Sequence, residues 1–339
     1  MKKWLITMCL LIIVILCTIG LRFNQRSQNE YSDNLFYMDT YIYVKIYSDD
    51  KEKVIGALKA VDSLYEKYHQ LSDRYNHYDG ITNIYDLLHT SSKEEYLEID
   101  TELYNMISTG LEWLDKSNGL LDIRMGNVID IWKAYRDTES GIPSIEELKV
   151  AKDNMIKDIV LKDGHFVLNN HPNIDLGAIA KGYATQRVGE YLESIGITKY
   201  IINAGGNVKV GKHYSNSSYS IGIEDPNSST GDIYKVVYGN NINVVTSGGY
   251  ARYYEYNGKK YHHIINPNTL FPPEYSKSVT VITDDSALGD VLSTILFLLP
   301  IDEGKEFIKN MDNVEAVWYT NDNETIQTKG LEKYEIQKK

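Results

Sequence analysis

With 339 residues, 42% of them hydrophobic and 24% charged, the chain can bury a substantial core as one large or two medium domains. Its formal net charge of −12 argues against a nucleic-acid partner. Both cysteines, Cys9 and Cys17, lie in the first 21 residues, which excludes a disulfide, a cysteine nucleophile or a thiolate metal site from the remainder.

Lys2 and Lys3 precede Trp4 to Leu21, eighteen residues without a charge, at the border between a signal-peptide core and a spanning helix. Leu16 directly before Cys17 suits lipoprotein processing poorly, so residues 1–21 are expected to be an uncleaved membrane anchor. The basic residues then favour a cytoplasmic N-terminus and an extracytoplasmic body. Four of the 35 Lys+Arg lie in residues 1–26 and none of the 47 Asp+Glu, so the remainder sets 31 basic residues against 47 acidic ones. A chain this acidic needs a divalent cation if it is to handle a polyphosphate.

Residues 22–34 are polar and aperiodic and read as a linker, with a folded domain over 35–335. Alternation over 35–48 predicts a half-buried strand, and Val54, Leu58, Val61, Leu64 and Tyr65 predict a helix from a Ser48 or Asp49 cap to about Leu71. A loop over the Ser72–Asp73–Arg74 region leads to a second helix, from an Asp100 cap to about Lys116, stopped by the turn at 117–119. Asp122 follows among apolar neighbours, where a buried carboxylate answers a backbone N–H or a ligand hydroxyl. Asp163-Gly164 and Asn257-Gly258 predict hairpins, and residues 218–247 read as short strands. A strand at 280–283 and an apolar helix over 287–300, capped by Asp285 or Ser286, end the pattern. The irregular alternation of strands and helices predicts an α+β fold, mixed β-sheets flanked by helices.

Three stretches carry chemistry. Residues 175–206 join an Asp175 helix cap, small residues and Lys181 in the first helical turn to a strand ending in two glycines. That is a cradle for a phosphate, or simply a well-made helix connection. Asp290 and Thr294, four apart on an apolar helix, offer two hard oxygen ligands for Mg²⁺, or a loop cap and a back-bonded hydroxyl. Of His262 and His263, neighbours at a strand end, one alone can face a site, as a general acid/base or as a structural ring.

Six blocks in this order, MDT (38–40), 117–132, DLGAIAKGYA (175–184), NAGGNV (203–208), 246–267 and 278–299, resemble the ApbE family of FAD:protein FMN transferases over about residues 35–330. The resemblance implies a bilobal body with a central FAD cleft and Mg²⁺ at the diphosphate. The implied reaction passes FMN to a Thr or Ser hydroxyl of an exported acceptor, a flavoprotein of an electron-transfer chain. By the same resemblance Asp290, Thr294 and the Ala178 carbonyl hold the metal. Met38, Asp122, Asp175, Lys181 and Ile265 surround FAD, and Ser72, Asp73 and Arg74 match a flavin-contacting loop more loosely. His263 becomes the acid/base, preferred to Asp290 because a metal-bound carboxylate is a poor base. Asp39 stands where the family has glycine more often, and Asn266 where it has aspartate. The alternatives are a Mg²⁺-dependent FAD pyrophosphatase giving FMN and AMP, and a non-catalytic flavin-binding membrane protein.

Overall fold

A computed structural model describes residues 29–336 apart from Asn216. The expected anchor lies outside the described residues, among which no helix is long and apolar enough to cross a membrane.

The chain opens on a hairpin, β1 (Glu30–Tyr37) and β2 (Thr40–Tyr47), turning at Met38 and Asp39, which both hold positive φ near 50°. The single strand expected at 35–48 is therefore two, and residues 30–34 of the expected linker belong to β1. Two consecutive left-handed residues close a two-residue turn, and Asp tolerates that conformation better than most side chains do. Helix α1 (Lys51–Ser72) is capped by Asp50, whose carboxylate accepts from the Lys53 N–H at 3.0 Å, one residue past the expected cap. A loop then leads to α2 (Ile84–His89), β3 (Tyr96–Glu98) and α3 (Thr101–Lys116), the last capped by Asp100 as its sequence predicts.

Next come α4 (Gly126–Thr138), α5 (Ile145–Asp153) and the hairpin β4 (Leu161–Lys162) and β5 (Phe166–Leu168). Helix α6 (Ala180–Ser194) leads into β6 (Tyr200–Ala204) and β7 (Asn207–Val210), joined through Gly205 and Gly206 at positive φ. Then follow β8 (Tyr219–Glu224), β9 (Ile233–Gly239), β10 (Ile242–Gly248), β11 (Tyr253–Tyr256), β12 (Lys259–His262) and β13 (Ser278–Thr283). Helices α7 (Ser286–Phe297) and α8 (Ile301–Ile308), strands β14 (Glu315–Tyr319) and β15 (Thr325–Gln327) and a short 3₁₀ turn complete the fold.

Eight strands form one antiparallel sheet in the order β1-β2-β6-β7-β10-β13-β14-β15. Period-two alternation sends Ile42, Val44 and Ile46 of β2 to one face, where all three are fully buried. Burying each stabilises the fold by about 2 kcal/mol. Helices α1, α6 and α7 cover this face and share its core with Val188, Val281 and Val291. The β8–β9 hairpin covers part of the other face, with Ile221 and Val237 against Val244 and Val317. A third, smaller core lies apart: Met125, Val128 and Trp132 of the α4 region pack against Leu148, Tyr254 and Leu270. The main body and this smaller unit face each other across one large cleft, in the α+β arrangement the sequence predicts.

Candidate active site

The cleft measures about 890 Å³ and is walled by α6, α7, the β6–β7 turn, the end of β10, the 120–132 segment and the loop after β12. That lies within the size range of pockets that take cofactor-sized molecules.

One wall is organised around Asp290, whose residue is 5% exposed. Helix α6 has no side-chain cap of its own at Ile179. Its orphan Gly182 N–H donates to Asp290 Oδ2 at 2.6 Å, so a carboxylate from α7 fills the capping role. Asp290 Oδ1 accepts from Asn207 Nδ2 at 3.0 Å and from Lys181 Nζ at 3.2 Å. Gly182 has to be glycine for this approach: an added Cβ would lie 2.5 Å from the Ser286 carbonyl oxygen and 2.7 Å from Asp290 Cβ. Thr294 Oγ1 donates back to the Asp290 carbonyl at 3.1 Å and lies 3.4 Å from Ser247 Oγ. Thr294 is thus back-bonded as one sequence alternative has it, whereas Asp290 caps helix α6 and not a loop; both residues also line the cleft. Ala178 lines it too, and no hydrogen bond among the described residues ends on its carbonyl.

Among the described residues no group of three or more His, Cys, Asp or Glu is placed to hold a metal ion. A divalent ion at this wall would therefore rest on one carboxylate with hydroxyl and carbonyl oxygens. That hard, low-charge donor set fits Mg²⁺, which takes few protein carboxylates and completes its shell with water and phosphate oxygens.

Asp175 lines the cleft but is not the helix cap the sequence suggests, because α6 begins five residues later. Its Oδ1 instead accepts from Gly177 N–H at 2.8 Å, which holds the 175–178 turn. Arg74, buried behind that turn, reaches Asp175 at 3.4 Å, Asp130 at 3.0 Å and Asn173 Oδ1 at 2.6 Å. Asp122 lines the cleft with its carboxylate held by Arg124, whose backbone N–H lies at 3.0 Å and Nε at 2.8 Å.

Ser72, Asp73, Arg74 and Met38 stand behind the lining rather than in it. Ser72 Oγ donates to the Tyr68 carbonyl at 2.7 Å. Asp73 ties its own loop through Tyr75 N–H, Asn76 and the Tyr78 hydroxyl. Burial would raise its pKa, and those hydrogen bonds outweigh burial and hold it low. Met38 packs on the main core while its neighbours Asp39 and Thr40 line the cleft.

At the opposite wall the two histidines part. His262 Nε2 meets the Pro273 carbonyl at 3.0 Å, and its ring sits edge-on to Phe297. His263 lines the cleft with Arg252, Arg136 and Ile265. Desolvation, then the positive charge of Arg252, lower the His263 pKa to about 3, so the ring is neutral; Nδ1 donates to the Arg252 carbonyl, which leaves Nε2 as the nitrogen that can accept a proton. Sequence reasoning missed Asn207, which lies in the quoted 203–208 block, and Ser247, Arg136 and Arg252. Spacing alone marks none of them.

Known proteins resemble this chain along most of its length. A curated FAD:protein FMN transferase of Klebsiella pneumoniae is 26% identical over 307 residues, covering 87% of this chain and 91% of its own. One of Treponema pallidum is 25% identical and covers 94% and 92%. The crystal structure of the ApbE protein of Thermotoga maritima superposes with a TM-score of 0.78 at 23% identity, over 91% of this chain and 100% of its own. The flavin transferase ApbE of Vibrio cholerae gives 0.75 at 21% identity, over 91% and 99%. The ApbE family's sequence profile matches residues 38–318, and the chain belongs to the ApbE family.

Proposed function

We propose that the cleft transfers FMN from FAD to a Thr or Ser hydroxyl of an exported acceptor protein, with release of AMP and with Mg²⁺ as the assisting ion. One observation carries this reading. A single cleft of FAD size sets Asp290, Thr294, Ala178 and Lys181 on one wall and the neutral His263 imidazole among the residues of the other. The names of the Klebsiella and Treponema relatives support the reaction.

In this reading Lys181 and the first turn of α6 hold the diphosphate, with the helix N-terminus favouring its negative charge. Asp290, Thr294 and Ala178 are the residues that would hold Mg²⁺, whose charge would neutralise that of the diphosphate. The acceptor hydroxyl forms a bond to the FMN phosphorus while the bond from that phosphorus to the AMP oxygen breaks. His263 takes the hydroxyl proton, and AMP leaves with the electron pair of the broken bond. Burial is the larger cause of the ring's low pKa; a diphosphate beside Arg252 would offset the smaller one, the Arg252 charge. Residues 4–21 are proposed to anchor the chain in the membrane with this body on the outer side, supported by their eighteen uncharged residues.

Incubation of the protein with FAD, Mg²⁺ and a candidate acceptor, followed by intact-mass measurement of the acceptor, tests the reaction. An FMN-sized mass gain with AMP release is expected. Free FMN with AMP and an unmodified acceptor would make water the acceptor, and unchanged FAD would leave a binding protein. Fractionation of cells expressing the full chain tests the anchor, with recovery in the membrane pellet expected.

A further inference from the structure

Behind Asp290 runs a buried polar chain that the transfer reaction does not itself use. Three elements each contribute two residues on one face, Gly182 through its backbone N–H alone: Gly182 and Gln186 on α6, Ser286 and Asp290 on α7, and Asn207 and Lys209 on β7. The helical pairs are four apart and the strand pair two apart, the spacings that put residues on a common face. Asn207, fully buried, donates Nδ2 to Asp290 Oδ1 at 3.0 Å and accepts at Oδ1 from Ser286 Oγ at 2.7 Å. The Ser286 N–H donates to Gln186 Oε1 at 3.0 Å, and the same oxygen accepts from Lys209 Nζ at 3.0 Å. Glu190 fixes the Gln186 amide by accepting its Nε2 at 2.9 Å. Lys209 is 7% exposed; its ammonium hydrogen-bonds the amide oxygens of Gln186 and Asn243, and the carboxylates of Glu193, Asp285, Glu190 and Asp284 act on it from beyond hydrogen-bond distance. Gly189 leaves the passage its stem needs, since an added Cβ would lie 2.2 Å from Lys209 Cε.

A buried charge is costly to keep without a paired carboxylate, and a chain of satisfied donors and acceptors restricts every member to one orientation. We propose that Asn207 is the positioning residue of Asp290, and that Lys209, through Gln186 and Ser286, holds Asn207 in the rotamer that presents the Asp290 carboxylate to a divalent cation. This rests on the metal reading of the cleft. With the Asn207 donor gone, the carboxylate is held by Gly182 and Lys181 alone and can turn. With Lys209 gone, Gln186 keeps Glu190 at its Nε2 but loses one of the two donors that hold its Oε1.

The test is Mn²⁺ binding in the presence of ADP, whose diphosphate supplies phosphate oxygens, read as loss of the free Mn²⁺ electron paramagnetic resonance signal on folded protein. Asn207→Ala is expected to weaken Mn²⁺ binding about 10–100-fold, in the range for groups that orient a metal ligand. Lys209→Met, which keeps most of the stem, is expected to weaken it several-fold. Thr328→Val, which breaks a hydrogen-bonded pair with Glu315 at the far end of the sheet, serves as a control for general loosening and is expected to leave binding unchanged. Wild-type Mn²⁺ affinity in both Asn207→Ala and Lys209→Met, or equal loss in Thr328→Val, would overturn the positioning role while leaving the metal site intact. Absence of Mn²⁺ binding by the wild-type protein would overturn the metal reading and this inference with it.

Discussion

The two walls of the cleft are built by opposite means. At the Asp290 wall three elements of the main body meet, and one carboxylate receives donors from Gly182, Lys181 and Asn207 with almost nothing exposed. The His263 wall is borne by a two-stranded hairpin outside the main sheet, which leans on the smaller core through Tyr254 and the stacking of Tyr261 on Trp132. An isolated hairpin has little stability of its own. There His263 makes one long contact, 3.3 Å from Nδ1 to the Arg252 carbonyl, and Tyr253, Lys259 and Lys260 are open to solvent. The difference suits a reaction between a small donor, which must be held still, and a protein acceptor, which must be let in.

If the rigid wall holds the charge, its removal has the largest effect. Asp290→Asn keeps the shape and loses the negative charge, and turnover is expected to fall by at least about 10³-fold at any Mg²⁺ concentration, the scale of losing a main electrostatic contact. AMP release by chromatography measures this. His263→Gln is expected to lower kcat by about 10²–10⁴-fold with little change in FAD affinity, as for loss of a positioned base. Measuring kcat and FAD binding separately checks it.

Gly182→Ala sharpens the comparison from the packing side. The new methyl must push α6 from α7, which is expected to destabilise the fold by about 1–3 kcal/mol and to lower Mg²⁺ affinity, read by thermal denaturation with and without Mg²⁺. The remaining effect is on stability against pH. His263 ionises near 6.5 when unfolded and at about 3 when folded, so between those values the unfolded chain binds more protons. Stability is therefore expected to fall as pH drops below about 6.5, and His263→Gln should remove that part of the slope in denaturant titrations at stepped pH.

The Asp290 wall was legible where spacing acts locally. Asp290 and Thr294 share a helix face at four residues, and Lys181 follows the small-residue turn within the first turn of α6. Asn207 was not legible, because its bond to Asp290 spans 83 positions and no period links them. Ser72, Asp73 and Arg74 border the site in sequence, yet their side chains bond to the loop and to Asp175 from behind, a direction that pattern cannot convey. The opening hairpin escaped for a related reason. Met38 and Asp39 form a tight turn without the glycine or asparagine that marks one, so its alternating residues read as one strand.

The division of labour between the walls is tested most directly by flavin-fluorescence titration of FAD with and without Mg²⁺ in two variants. His263→Gln should retain the wild-type gain in FAD affinity on adding Mg²⁺, and Asp290→Asn should show none. A Mg²⁺-dependent gain that survives in Asp290→Asn, or that vanishes in His263→Gln, would contradict the account.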